Sequence, residues 1–274
     1  MRRNTAIPVT LGILLIIAAA VSWSAIRKVP SGSAEADLFP GTFATTQPAT
    51  DILRVATFNV DGGGEDAPDL HGIADCIRGF DLIGLEEVHG NGLASPPDQA
   101  HCLATAVDLP VLYCPVESQY WGEKTFGNAL LTDLSVRHWK RIPISAPNSD
   151  SNRNAILLRT IFGGKELSVI VTHIDRHGDH APEIHAVSDL FLSQPAPAIL
   201  MGDFNCEPND IGIISLSLTP NVIDPIGKGY DRIFVRGLDV VDMGYLEHHV
   251  SDHPMAWAKL RLPTSRPSPN STVP

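Results

Sequence analysis

Eight residues of types that carry protons or hold metal ions stand at or beside the ends of apolar runs: Asn59, Glu87, His173, Asp203, Asn205, Asp231, Asp252 and His253. The sharpest instance is Ala198 to Pro208, AILMGDFNCEP, where four apolar residues lead into Gly202, Asp203, Phe204 and Asn205. An apolar strand that closes on Gly-Asp-x-Asn fixes a carboxylate and an amide two residues apart on a rigid support. Any one of these residues is equally explained by a turn, since Gly, Asp and Asn all favour turns. Eight in the same position, on strands that should neighbour one another, are explained more economically by one site. Carboxylates and amide oxygens, with few imidazoles, suit a hard cation such as Mg²⁺ or Mn²⁺ that keeps waters for a substrate phosphate. Two histidines near carboxylates add proton transfer and contact with a phosphate.

The elements that must position these residues can be read from periodicity and turn signals. Leu53 to Val60 and Asp81 to Val88 read as apolar strands, with a short helix at Leu70 to Gly79 between them. A helix at Pro97 to Val107 precedes strands at Val111 to Val116, Gly127 to Thr132, Val136 to Arg141 and Ala155 to Ile161. Leu167 to Thr172 leads to His173, a helix at Pro182 to Leu192 follows, and the strand from Ala198 comes next. Tyr230 to Val235, Leu238 to Tyr245 and Met255 to Leu260 close the pattern. Many antiparallel-type strands interleaved with helices, in two similar halves, imply an α/β (α+β) fold with sheet packed on sheet and helices outside.

The ordered set TFNV (Thr57 to Val60), LEEV (Leu85 to Val88), FGNALL (Phe126 to Leu131), VTHID (Val171 to Asp175), GDFN (Gly202 to Asn205), YDRIFV (Tyr230 to Val235) and SDHP (Ser251 to Pro254) resembles the endonuclease/exonuclease/phosphatase superfamily. The resemblance covers nearly the whole globular region. Each motif is weak alone; seven in order are specific. It implies a four-layer α/β/β/α sandwich of two packed, mainly antiparallel sheets, and in-line hydrolysis of a phosphate ester. It implies Glu87 as the main metal-ligand glutamate, Asn59 beside it as ligand or orienter, and Asp252 reaching the metal. Glu86, where the family often has Gln, is read as supporting. Asp203 and Asn205 would orient or deprotonate the attacking water and hold the phosphate. His253 would contact the scissile phosphate, with Asp231 or Asp252 orienting its ring, and His173 matches a second catalytic histidine of deoxyribonuclease-like members. Two departures blur the subfamily: Glu183 and His185 stand where many members have Arg and Gln, and Pro254 stands where many have Arg.

Other residues keep two readings. Asn128 lines the site or stabilises a turn; Arg153 binds phosphate as a bidentate donor or is a solvated loop residue. Trp121 and Phe126 stack on a base or simply pack. His177, Asp179 and His180 in RHGDH read better as a polar loop ahead of a helix than as a metal site, and Cys206 better as a small buried residue than as a nucleophile.

A net charge of −11 removes any globally basic footprint for duplex binding, and no base-reading module is present. Histidine-rich dinuclear signatures of calcineurin-like phosphoesterases are not seen. The four cysteines, Cys76, Cys102, Cys114 and Cys206, have no C-x-x-C spacing, which disfavours a zinc ribbon or redox pair; at least one disulfide is expected if the domain is exported. Export follows from the N-terminus. Arg2 and Arg3 precede an uncharged run from Ala6 to Ile26, after which Arg27 and Lys28 return. That run approaches the ~20 residues of a bilayer span, and its length favours an uncleaved anchor over a signal peptide cut near Ser22 and Ser24.

The organisation expected is an anchor or signal over residues 1–28, a flexible linker over 29–50, the catalytic domain over 51–262 and a disordered tail over 263–274. The function expected is that of a monomeric, Mg²⁺- or Mn²⁺-dependent phosphoesterase cleaving phosphodiesters, nuclease-like in chemistry. It would be membrane-anchored with an extracytoplasmic catalytic domain, or secreted or periplasmic if the segment is cut. Its expected partners are a phosphate-ester substrate, nucleic acid among the candidates, and a membrane through the N-terminal segment. The alternatives are a lipid or inositol phosphate phosphoesterase and a catalytically silent binding module on the same fold.

Overall fold

Along residues 53–59 the side chains alternate. Leu53 and Val55 enter a core between two sheets, while Ala56 and Phe58 pack under helices on the opposite face. Repeated in strand after strand, this period builds the four layers. The computed structural model describes residues 11–18, 26–28, 51–60, 69–90, 99–119, 126–144, 152–177 and 179–264. They begin with α1 (residues 11–18) and β1 (Ile26–Lys28), then β2 (Leu53–Asn59), α2 (Leu70–Ile77), β3 (Leu82–His89), α3 (Gln99–Val107), β4 (Val111–Gln119) and β5 (Phe126–Thr132). The second half holds β6 (Val136–Pro143), β7 (Asn154–Phe162), β8 (Lys165–His173), α4 (Ala181–Ser193), β9 (Ala198–Asp203) and α5 (Ile211–Ser217). It closes with β10 (Val222–Ile223), β11 (Asp231–Arg236), β12 (Asp239–Leu246) and β13 (Met255–Arg261).

One sheet has the order β1-β4-β5-β3-β2-β13-β12 and the other β10-β11-β9-β8-β7-β6. Pairing is antiparallel except for β2 with β3 and β8 with β9, the two places where a helix carries the chain across. A core of Val55, Leu130, Leu158, Val169, Met201 and Ile233, among others, fills the space between the sheets. Ile73 and Ile77 of α2 with Leu103 of α3 cover the first sheet; Ile184 and Phe191 of α4 with Ile213 and Leu216 of α5 cover the second. This is the four-layer sandwich that the motif order implies.

Sequence and structure agree closely on the strands that carry polar ends. The sequence reading missed α5, β10 and β1. Asp210 caps α5 by accepting from Gly212 N at 2.8 Å, a start signal that lay inside the loop after Asn205. The disulfide expectation is corrected: among the described residues, which include all four cysteines, there is no disulfide. Cys114 belongs to the inter-sheet core, Cys76 packs under α2 on one outer face and Cys206 lies in the core of the other, so these three sit in different layers. Of the expected anchor, α1 is described, with Leu11, Leu14, Leu15 and Ile16 more than half exposed. Among the described residues no helix is long and apolar enough to cross a membrane. The rest of the run, the linker over 29–50, Trp121, the side chain of Phe126 and residues 265–274 lie outside the described residues.

Gly202 is fixed by sterics. Its φ is +151°, and a Cβ there would fall 1.9 Å from the Thr172 carbonyl oxygen of the neighbouring β8. Gly202→Ala is expected to cost at least about 3 kcal/mol through overpacking and backbone strain. The check is a fall in the denaturant midpoint at unchanged slope.

Candidate active site

The site is where the inter-sheet core stops being apolar. On β8, Leu167, Val169 and Val171 face the opposite sheet and His173 continues that face; on β9, Ile199 and Met201 lead to Asp203; on β11, Val235 and Ile233 lead back to Asp231. On β2, Leu53 and Val55 lead to Thr57 and Asn59. The polar ends meet at one edge of the sandwich. Register shows the convergence: His173 and Asp231 both pair with Asp203 across β9.

Two sets of contacts organise this edge. Asn59 Nδ2 donates to Glu87 Oε1 at 3.2 Å and to Asp203 Oδ2 at 3.0 Å. One amide nitrogen thus draws together two carboxylates, one from each sheet. Glu87 reaches it through a β-bulge: the β3–β5 register shifts between Leu85 and Val88, and Glu87 sits at φ 59°, a left-handed conformation costly for a non-glycine residue. Such strain persists only where surroundings enforce it. His173 Nε2 lies 3.7 Å from Glu87 Oε1 and 3.6 Å from Asp203 Oδ2. Asn205 Nδ2 donates to the Ile174 carbonyl at 3.0 Å and lies 3.0 Å from His173 Nε2. With both amide protons so engaged, what Asn205 can offer a water or a cation is its carbonyl oxygen.

The second set is the dyad His253–Asp231, Nδ1 to Oδ2 at 2.8 Å. Burial alone would lower the His253 imidazole, but the hydrogen bond and charge of Asp231, with Asp203 and Asp252 adding, hold it up to about 9. The ring is therefore an imidazolium at neutral pH, with Nε2 on the side of the exposed Asp252, 3.9 Å away. His173 is the opposite case. Burial first, then Arg153 and His253, push it well below its ordinary range, so it is neutral. Burial raises Asp203 to about 6, Asp231 adding and His253, Asn59 and Asn205 opposing. The charged His253 is thus the site's proton donor, while His173, its Nε2 facing the Asn205 amide, is the neutral partner.

Glu86 takes the inward position on β3, fully buried, with Oε1 accepting from Thr57 Oγ1 at 2.8 Å and Oε2 lacking a partner. Burial, then the charge of Asp231, raise it well above the carboxylate range. A protonated Glu presents one donor and one acceptor, the pattern of a Gln side chain.

The donor set fits a divalent cation. Glu87 and Asp203 converge on one amide, Asp231 Oδ1 is buried with no hydrogen-bond partner among the described residues, and Asp203, Asp231 and His253 offer atoms within 4.8 Å of one another. Because the His253 Nδ1 proton bridges to Asp231, that ring is placed for proton transfer, and Glu87 is the carboxylate left to hold a cation, with Asp203 and the Asn205 oxygen beside it to hold water. Asn59, expected as ligand or orienter, has its nitrogen between the two acids and so orients them. Asp252, expected at the metal, has a side chain 70% exposed at the rim. Asn128 is buried, with Nδ2 3.2 Å from the Asn154 carbonyl, tying β5 to β7 across the core. Arg153 lies at the same edge, its Nη2 3.4 Å from Asp175 Oδ1. In RHGDH, Asp179 caps α4 at Ala181 N, and burial pushes the Cys206 thiol up to about 12, an inert group. The sequence reading gave no role to Ser251, whose Oγ donates to the Asn59 carbonyl at 2.7 Å and accepts from His253 N at 3.1 Å. Its only signal was its place before Asp-His.

An acid pair that suits a hard cation, beside an imidazolium at the open edge of a four-layer sandwich, defines a hydrolase of phosphate esters. The profile of the Endonuclease/Exonuclease/phosphatase family matches residues 56–253, and the chain belongs to that family, whose members are typically dependent on divalent metal. Solved structures share the fold. A humanised TDP2 of D. rerio is 18% identical, with a TM-score of 0.61 over 77% of this chain and all of that one. An endonuclease/exonuclease/phosphatase of Beutenbergia cavernae is 20% identical, with 0.62 over 77% and 72%. A mannosyl-6-phosphatase of Bacteroides thetaiotaomicron is 17% identical, with 0.58 over 76% and 99%. No curated protein sequence matches the chain.

Two outcomes test this account. Glu86→Gln is expected to keep turnover within about threefold and stability within about 1 kcal/mol, because it replaces a neutral acid by its isostere; a large loss would show Glu86 acting ionised. The raised pKa of Asp203 means that ionising it in the fold costs stability. That cost is absent below about pH 4 and complete above about pH 6. Cation binding needs the ionised acids, so the thermal stabilisation by Mg²⁺ or Mn²⁺ is expected to grow from pH 5 to 7.5. A gain that is flat over that range would place the cation elsewhere.

Proposed function

We propose that this protein is a Mg²⁺- or Mn²⁺-dependent phosphodiesterase with nuclease-type chemistry, held to a membrane by its N-terminal segment with the catalytic domain on the extracytoplasmic side. The observation that carries the catalytic reading is the His253–Asp231 dyad, 2.8 Å between Nδ1 and Oδ2, standing beside the buried Asp203. Asp203 accepts a proton from a water held by the Asn205 oxygen, and His253 Nε2 donates to the phosphate or its departing oxygen. Asp231 keeps the imidazolium charged and aimed. A bound cation would offset charge on the phosphoryl oxygens. The guanidinium charges of Arg153 and, less strongly, Arg176 reach His173 and would attract a phosphate to this edge. A second reading, a head-group diester of a membrane lipid, is favoured by where the N-terminal segment joins the fold.

The test is hydrolysis of plasmid DNA, RNA, sphingomyelin and inositol phosphates, with and without Mg²⁺ or Mn²⁺. His253→Ala and Asp203→Ala are each expected to lower turnover by about 10²–10⁴-fold, the worth of a positioned acid or base, and chelation to abolish it. Full activity in either variant would remove that residue from the reaction.

A further inference from the structure

We propose that the edge of the sandwich on which the site opens lies against the bilayer that holds the chain's own N-terminal segment. The inference rests on the tether reading above and adds an orientation to it.

The orientation comes from register. β1 pairs antiparallel with β4, Ile26 opposite Gln119 and Lys28 opposite Glu117. β4 pairs with β5 so that Glu117 is level with Phe126, and β5 pairs with β3 so that Phe126 is level with His89, two residues past Glu87. Ile26 therefore stands at or beyond the site edge, and the chain before it leaves the fold there. Three strand spacings of about 4.8 Å separate β1 from β3, so the exit is about 14 Å to the side of the Glu87 strand. A bilayer span takes about 20 residues, and the uncharged run before β1 is about that long, so the point where β1 enters the fold lies close in sequence to the end of such a span. From Lys28, at the far end of β1, residues 29–50 must cross four strand spacings, about 19 Å, to the start of β2, well within their extended reach.

The two edges also differ in chemistry. On the far edge stand the exposed ion pairs Arg159 with Glu166 and Arg261 with Asp239, and the pair Arg54 with Asp81. On the site edge, beside the exposed acids Glu207, Glu247 and Asp252, stand Ile211 at the start of α5, Tyr230 before β11 and Leu246 at the end of β12, which are 79%, 43% and 39% exposed. Ile214 and Leu218 continue the α5 stripe down the flank. Exposed apolar side chains at an interface gain by entering the head-group boundary. A phosphodiester in that layer is then within reach of His253 without leaving the bilayer.

The experiment uses the full chain in phosphatidylcholine vesicles, neutral lipid being chosen because the protein is acidic. A photo-reactive residue is placed singly at Ile211 or Leu246 on the site edge, or at Lys165 or Arg261 on the far edge, and cross-linking to lipid is measured after flotation. The expected result is at least tenfold more lipid adduct from 211 and 246 than from 165 and 261. A protein that floats with equal labelling, with more from the far edge, or with none above background overturns the orientation. A protein that does not float overturns the tether on which the orientation depends, and neither failure bears on the metal-dependent hydrolysis, which is assayed separately.

Discussion

Negative charge has been closed in at the end of a hydrocarbon core, and most of the structure near the site is arranged to bear it. Asp203 and Asp231 are buried and neighbours across β9 and β11. An unpaired buried carboxylate costs several kcal/mol, more than one fully buried aliphatic side chain returns. The offsets are visible one by one. Asn59 gives its nitrogen to two acids, Asn205 gives its backbone N–H to Asp203, and His253 gives a whole charge to Asp231. Glu86 takes the remaining course: burial, then the charge of Asp231, shift it toward its protonated form. A cation would complete the balance, which is why the same cluster is both a strain on the apo fold and a binding site.

Much of this was legible in the sequence because alternation and chemistry coincide. A strand read as Leu53, Val55, Thr57 and Asn59 on one face already says that the core face ends in polar groups, and AILMGD says the same for β9. What the sequence did not give was the division of labour. Asn59 reads equally as ligand or orienter until its nitrogen is seen between two acids, and Asn128 as site-lining or turn-stabilising until its amide is found against Asn154 of β7. Glu86 and Glu87 are adjacent and identical in type, yet a bulge sends one inward to be neutral and the other to the edge. No periodicity distinguishes them. The short helix α5 escaped because Gly and Ser interrupt its apolar pattern, and the cysteine expectation failed because spacing along the chain says nothing about layers.

The two histidines show how far position outweighs type. His173 and His253 share the Asp203 carboxylate, at 3.6 and 3.9 Å. One has Arg153 behind it and an amide in front, the other an aspartate at bonding distance. Their proton affinities diverge for that reason.

The strict alternation of β2, β8, β9 and β11 has a consequence for how such sequences can diverge. Because side chains change face at every residue, inserting or deleting one residue within any of these strands turns its terminal acid, amide or imidazole onto the outer face and pushes core residues after it. Length changes must fall between strands, or be absorbed by a bulge such as that at Glu86 and Glu87. Substitution within the strands is far less constrained, since most inward positions ask only for an aliphatic of suitable volume. A lineage under those rules drifts in composition while its spacing stays put, which is how chains only 16–20% identical come to superpose over three-quarters of this one.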